Sequence, residues 1–100
     1  MPLFTFYGLD KTGSGSAIRS ENRAAHVAWL KSLGETLRLA GPLLAENGED
    51  MIGSLLVLQC EDLAAVETLL KDDPYAKADL FERVEIRPYK WVLGAGAPET

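Results

Sequence analysis

The sequence predicts one α+β domain of the ferredoxin-like type, a four-stranded antiparallel sheet with two helices on one face. The chain has 100 residues, the length of a single domain. Strand-like and helix-like segments follow one another in the order β-α-β-β-α-β, which is the split β-α-β arrangement. In the first and third strands both faces are apolar, which is unusual for a sheet that is open to water on one side. We therefore expect the second face to be buried against another copy of the chain, in a homodimer.

Composition and charge narrow the classes of function. The net charge is -5, with 10 Lys and Arg among 15 acidic residues. This argues against a nucleic-acid partner, because phosphate binding relies on clustered basic side chains. No apolar run approaches the ~18 residues of a membrane span. The first residues lack the basic segment of a signal peptide, so we expect no membrane association and a cytoplasmic location.

The first half of the chain divides at its glycines and prolines. Residues 3–7 are rich in aromatic side chains and predict the first strand. Residues 10–16 predict a loop, and the Lys-Ser/Thr pair that ends a phosphate-binding loop is absent. Ser20 is a candidate N-cap for a helix that runs to Leu33 and ends at Gly34. The second strand is expected at 37–40, broken by Gly41-Pro42 and resumed at 43–44.

The second half repeats the alternation. A turn at 46–50 precedes the third strand at 53–59, and Cys60 at its end is expected to be a buried structural thiol. Asp62 can cap a second helix with apolar residues at Leu63, Val66, Leu69 and Leu70.

The last segments follow an Asp-Pro step. Pro74 suits the first position of a short helix that runs to about Leu80. The fourth strand is expected at 84–89, where Pro88 indicates an edge position or the strand's end. We expect the folded domain to span residues 1–93 and residues 94–100 to form a flexible tail.

One face of the first helix carries cations where a core is expected. Alternating steps of four and three lead from basic to aliphatic residues along one face of the helix, or of the chain just entering it, with the last step beyond its end: Arg19, Arg23, His26, Leu30, Leu33 and Leu37. The aliphatic half must face the core, so the basic half indicates a polar cleft. These basic residues are also expected near the N-terminus of the helix, whose free N–H groups and dipole favour a small anion such as a carboxylate, phenolate or enolate. In the alternative interpretation, the histidine is simply packed and the arginines reach solvent.

Asp73 is the natural partner of His26. A carboxylate bonded to the imidazole would fix its tautomer and make it a stronger general base. Asp73 also precedes Pro74, so the role of helix N-cap alone could explain its identity. One histidine and one cysteine, far apart in sequence, make no metal site, and no dinucleotide fingerprint is present. We therefore expect neither metal nor cofactor.

Several short motifs, in order, resemble the YciI-like (YCII-related) family. The first are the aromatic first strand (residues 3–7) and an Arg-x-x-x-Arg-x-x-His pattern (Arg19, Arg23 and His26). The others are a Gly-Pro after the second strand (Gly41-Pro42), an Asp-Pro-Tyr step (Asp73-Pro74-Tyr75) and a Pro-Tyr-Lys ending (Pro88-Tyr89-Lys90). The match covers about residues 3 to 92. Ala24 departs from the proline of many members, and the turn at 45–52 is shorter than in several.

This resemblance implies a fold of the dimeric α+β barrel type, with His26 and Asp73 close together in a cleft, and distant kinship with enzymes of aromatic-ring catabolism, including lactone isomerases. We expect a lyase or isomerase in which His26, oriented by Asp73, removes a proton. Arg19 and Arg23 would hold the anionic substrate, while Tyr75 would either donate a hydrogen bond or only pack. The alternative is a non-catalytic dimer that binds a small ligand or regulates a partner.

Overall fold

The structure, a computed structural model, describes residues 1–98 and has the predicted element order, including the short helix that begins at Pro74, with one additional 3-10 turn. In chain order the elements are β1 (Leu3–Asp10), α1 (Gly15–Ser32), a single 3-10 turn (Gly34–Thr36), β2 (Leu37–Leu44), β3 (Met51–Gln59), α2 (Leu63–Leu70), α3 (Pro74–Lys77) and β4 (Phe81–Tyr89).

The four strands form one antiparallel sheet in the order β2-β3-β1-β4. This order places the first and third strands in the centre, so the predicted ferredoxin-like α+β class is confirmed. β2 and β4 are the two edges. The prediction that Pro88 belongs to an edge strand is therefore confirmed, because an edge tolerates a residue without an N–H donor.

The core lies between the helices and one face of the sheet. Phe4 pairs with Leu58 and Phe6 with Leu56 across β1 and β3, and these four side chains are buried. They form one cluster with two residues of α2, Val66 and Leu70, and with partly buried residues of α1, Trp29 and Leu30. Cys60 belongs to the same cluster, as predicted, and burial raises the pKa of its thiol.

The opposite face of the sheet is apolar along the central strands and β2, whereas β4 places Glu85 and Arg87 there. Tyr7 and Leu39 lie on this face and are 37% and 42% exposed, beside Leu55 and the buried Val57. Alternation along the strands sends these side chains away from the helices. Within residues 1–98, no helix covers this face.

Helix α1 begins six residues earlier than the sequence indicates. Its N-cap is Ser14, not Ser20, so the expected loop at 10–16 is partly helical. The cause is tertiary contact: the Gly15 amide bonds the Lys11 carbonyl, and a Cβ on Gly15 would lie 2.9 Å from the Cβ of Asp10. Only glycine allows the helix to start this close to the end of β1.

Strand β2 is continuous through Gly41 and Pro42, so the predicted break is wrong. Pro42 pairs with Ser54 on an edge strand, where its missing N–H costs no sheet hydrogen bond. The other three strands also begin earlier or end later than predicted. Helix α3 ends at Lys77 rather than near Leu80.

The predicted caps of the last two helices are present. The Asp62 side chain accepts from the Ala65 amide of α2, and the Asp73 side chain accepts from the Tyr75 amide of α3. The first residues of the expected tail, from Gly94, form a turn beside the Trp91 ring. Residues 99 and 100 lie outside the described part, and the flexibility of the tail stays a prediction.

Candidate functional site

Two helices bring the predicted site residues together. Arg19, Arg23 and His26 lie on one side of α1; Arg19 and His26 are buried, whereas Arg23 is exposed. Asp73 and Tyr75 stand at the start of α3, which packs against α1, and they are 1% and 2% exposed. Residues separated by about fifty positions in the sequence thus form one cluster.

The His26 imidazole is held by the Asp73 carboxylate. Nδ1 of His26 lies 2.7 Å from Oδ1 of Asp73, and the Tyr75 amide donates to the same oxygen at 3.0 Å. Asp73 therefore acts both as helix cap and as partner of the histidine, which combines the two sequence-based interpretations. A carboxylate can only accept, so the neutral ring carries its proton on Nδ1 and presents Nε2 as a proton acceptor. Within residues 1–98, Nε2 has no hydrogen-bond partner.

Tyr75 packs against the two buried site residues of α1, Arg19 and His26. Its ring is stacked on His26 with centroids 3.8 Å apart and planes 14° apart, and Cζ of Arg19 lies 4.8 Å from its centroid. Burial raises the pKa of Tyr75, and the nearby Asp73 charge adds to this, while Arg19 and Arg23 only partly offset it. The phenol therefore stays protonated at neutral pH and is available as a hydrogen-bond donor.

Arg19 is engaged by two residues that the sequence did not single out. Nε and Nη2 of Arg19 donate to the two carboxylate oxygens of Asp10, both at 2.8 Å, and Nη2 also donates to the Ser54 hydroxyl at 3.0 Å. Burial by itself lowers the pKa of Arg19, but the hydrogen bonds and charge of Asp10 outweigh it and the pKa is raised. The positive charge of the Arg19 guanidinium is thus balanced by the Asp10 carboxylate.

Asp10 and Ser54 could not have been found by a spacing rule. Asp10 stood at the beginning of the expected loop, and Ser54 read as an ordinary polar residue inside a strand. Their meeting with Arg19 depends on the pairing of β1 with β3, which sets Gly8 opposite Ser54.

Arg23 differs from Arg19 in having no ion pair or hydrogen bond within residues 1–98. One argument for an anion cleft is wrong, however, because α1 begins at Gly15 and the cations are not gathered at its N-terminus. His26 lies eleven residues beyond the first residue of α1, whereas the helix dipole acts within the first turn. Attraction for an anion must therefore come from Arg23 itself and from the donors of neighbouring side chains.

A small pocket opens beside these residues. It has a volume of about 180 Å³, and Arg19, Arg23, His26, Ser54 and Tyr75 form its polar wall. The rest of the lining is apolar or backbone: Val27, Leu30, Ala40, Gly41, Pro42, Met51 and Leu56. A wider, open cleft of about 880 Å³ adjoins it and shares Arg19, Arg23 and Met51 with it. An engineered cavity of about 150 Å³ is known to hold benzene, so this pocket suits a single small ring.

Two further observations concern metals and membranes. Among the residues that the structure describes, no group of three or more His, Cys, Asp or Glu side chains could hold a metal ion. In the same part of the chain, no helix combines the length and apolar character needed to cross a membrane.

Sequence comparison identifies the family. The family model of the YCII-related domain matches residues 3–90 of the chain. The chain belongs to the YCII-related family. Protein YciI of an Escherichia coli O6:H1 strain is 34% identical over 98 residues, covering 91% of this chain and 99% of that protein. An uncharacterized protein of Haemophilus influenzae is 35% identical over 78 residues, covering 71% and 80% of the two chains.

A solved structure of similar fold carries a ligand. It is 5-chloro-2-hydroxyhydroquinone dehydrochlorinase (TftG) of Burkholderia phenoliruptrix, in complex with 2,5-dihydroxybenzoquinone. It is similar to this chain with a TM-score of 0.77 and 31% sequence identity, over 96% of this chain and 99% of that one. The fold of this YCII-related protein is accordingly that of the dimeric α+β barrel class.

Proposed function

We propose that this YCII-related protein is a lyase or isomerase that removes a proton from a small hydroxylated ring or lactone, with His26 as general base. The observation that carries the proposal is the 2.7 Å contact between Nδ1 of His26 and Asp73, buried at the wall of a pocket of ring size. The similarity to a dehydrochlorinase with a bound quinone supports this class of substrate.

The proposed chemistry begins with proton transfer. A substrate hydroxyl, or a C–H next to a carbonyl, gives its proton to Nε2 of His26, and the ring becomes an imidazolium beside the Asp73 carboxylate. The electron pair left behind forms an enolate or phenolate. This anion takes the proton back at another carbon, which is isomerisation. An enolate that carries a leaving group on the carbon β to its carbonyl instead expels that group with its bonding electrons, which is elimination; a phenolate reaches such an enolate only after it has taken a proton at a ring carbon and lost a second one.

The other polar residues would stabilise the anion as it forms. Tyr75 donates a neutral hydrogen bond, because its raised pKa keeps the phenol protonated. Arg23 supplies positive charge at the edge of the pocket. Arg19 adds little positive charge for the anion, because the Asp10 carboxylate already balances its charge, and it acts mainly by holding its neighbours in position. This sequence of steps uses no metal or cofactor, and that independence stays a prediction.

The test is deuterium incorporation. A panel of single-ring hydroxylated acids and lactones, including 5-chloro-2-hydroxyhydroquinone, is incubated in D2O with the wild type and with His26→Gln, and exchange and chloride release are measured. We expect exchange or turnover of at least one compound by the wild type and its loss in His26→Gln. Asp73→Asn should fall between them, since it keeps the helix cap but removes the charge that favours the imidazolium.

A ligand that binds at His26 in the wild type with neither deuterium incorporation at carbon nor turnover would contradict the proposal. That result would favour the alternative of a non-catalytic module that binds a small ligand or regulates a partner. Binding is followed independently through the ring signals of His26, the only histidine in the chain.

We further propose that the protein is a homodimer through the open sheet face. Leu39 and Tyr7 expose apolar surface there, on the side away from the helices. Leu39→Glu should yield monomers in sedimentation velocity at micromolar concentration. Leu63→Glu is the matched control, because Leu63 is equally exposed, at 41%, but lies on α2. A wild type that sediments as a monomer would refute the dimer. The cytoplasmic location stays a prediction.

A further inference from the structure

The two arginines of the pocket differ in the charge they can offer a ligand. Arg19 forms a bidentate ion pair with Asp10, and the side chains of this pair are only 7% and 6% exposed. The pair contributes little net charge to the pocket. Arg23 has no carboxylate partner within residues 1–98 and is exposed to solvent. The pocket therefore carries one uncompensated cation, and that cation is Arg23.

The position of Arg23 decides where a charged substituent would lie. Arg23 lines both the small pocket and the open cleft, so it stands at the boundary between them. The rest of the lining offers no second uncompensated cation. Arg19 is paired with Asp10, and the remainder consists of His26, Ser54, the stacked ring of Tyr75 and apolar residues such as Leu30 and Leu56. A ring inside the pocket would consequently direct its anionic group outward, to the mouth.

The open cleft is unfavourable for a second negative charge. Four acidic residues line it against three basic ones: Asp10, Glu49, Asp50 and Glu82 against Lys11, Arg19 and Arg23. Lys11 is itself paired with Asp79, and Arg19 with Asp10. A second carboxylate that projects past Arg23 would meet Glu49, Asp50 and Glu82 without a free cation to balance it.

We infer that the site selects single-ring compounds with one negative charge, held at the mouth by Arg23, and discriminates against dianions. Arg19 is a positioning residue that holds the Tyr75 ring and the Ser54 hydroxyl in place. This inference rests on the proposed function for the site's location, but it concerns binding and not the proton transfer.

The test is a binding series with three probes of one ring each: benzamide, benzoate and isophthalate, with charges of 0, -1 and -2. Dissociation constants are measured by NMR titration at low ionic strength, where exposed charges are screened least. We expect the wild type to bind benzoate about fivefold more tightly than benzamide, the effect of one exposed charge pair. Isophthalate should bind less tightly than benzoate.

Variants separate Arg23 from general electrostatics. Arg23→Gln should bring the dissociation constants of benzoate and benzamide together, and it is expected to fold because the side chain is exposed. Arg38→Gln is the matched control: Arg38 is an exposed arginine on β2, outside both cavities, and its loss should leave the ratio unchanged. Arg23→Lys should retain part of the preference.

Three results would overturn the inference. They are an unchanged benzoate-to-benzamide ratio in Arg23→Gln, tighter binding of isophthalate than of benzoate, and no binding of any of the probes. The proposed function fails independently, through the absence of both deuterium incorporation at carbon and turnover in the wild type. An inactive protein that still selects monoanions would refute the lyase or isomerase proposal and leave this inference standing.

Discussion

Asp73→Ala should cost far more stability than the loss of a helix cap. The substitution removes the cap of the Tyr75 amide, worth about 1 kcal/mol. It also leaves the buried Nδ1–H of His26 without an acceptor, which costs about 2 kcal/mol. Since Asp73 is 1% exposed, water cannot replace it readily. We therefore expect a loss of about 3 kcal/mol in the free energy of unfolding, or about 15 °C in Tm.

The chain provides an internal standard for this measurement. Asp62 caps α2 through the Ala65 amide at 2.8 Å and is exposed, with no side-chain partner within residues 1–98. Asp62→Ala should therefore lose only the cap, about 1 kcal/mol. Both variants are unfolded in urea at one protein concentration, because a dimer's apparent stability depends on concentration.

A double-mutant cycle separates the cap from the pair. In a His26→Ala background, Asp73→Ala should cost only about 1 kcal/mol, which gives a coupling of about 2 kcal/mol between the two side chains. Equal costs of Asp73→Ala in both backgrounds would refute the reasoning. Asp73 would then be a helix cap and nothing more.

Three further substitutions probe the wall of the pocket and the sheet. Burial raises the pKa of Tyr75, so the stability that this proton contributes is present below the unfolded pKa of about 10 and is lost as pH rises through the folded pKa. Tyr75→Phe should abolish that alkaline loss of stability, whereas the control Tyr7→Phe should keep it. Urea unfolding at stepwise pH values from 8 to 11 measures the difference. Gly53→Ala should destabilise the protein by at least about 2 kcal/mol, because the added Cβ would lie 2.3 Å from the Gly8 carbonyl oxygen. Gly41→Ala is the control, because its Cβ meets nothing within 4 Å, and equal urea midpoints for the two variants would contradict the packing argument. Asp10→Asn should lower the free energy of unfolding by about 3 kcal/mol in the same assay, since it leaves the buried Arg19 guanidinium without a charged partner. A loss no larger than that of an ordinary surface substitution would show that the Arg19–Asp10 pair is not buried in solution.

The sequence predicted the fold class and the cluster because both depend on short-range patterns. Alternation in residues 3–7 and 84–89 identifies strands wherever they pair, and the Arg19–Arg23–His26 spacing places three side chains on one helix face regardless of tertiary structure. The Asp-Pro step likewise predicted the cap by Asp73 from local geometry alone.

Features that depend on distant contacts were not predictable in this way. The start of α1 is set by the close approach of Gly15 to Asp10, which outweighs the loop preference of a glycine- and serine-rich segment. The neutralisation of Arg19 needs Asp10 at the end of β1 and Ser54 in the neighbouring strand. The difference between Arg19 and Arg23, on which the charge of the pocket depends, is invisible in their spacing.

The double use of one Asp73 oxygen has a consequence for comparing relatives across evolution. Because Oδ1 serves both the amide of α3 and the ring of His26, selection for folding alone would retain an aspartate at this position after activity had been lost. His26 caps no helix, so folding preserves it only through its pair with Asp73 and its stack on Tyr75, whereas Asp73 keeps its cap without the histidine. Among homologues, replacement of this histidine beside a retained aspartate would mark the lineages in which catalysis has lapsed.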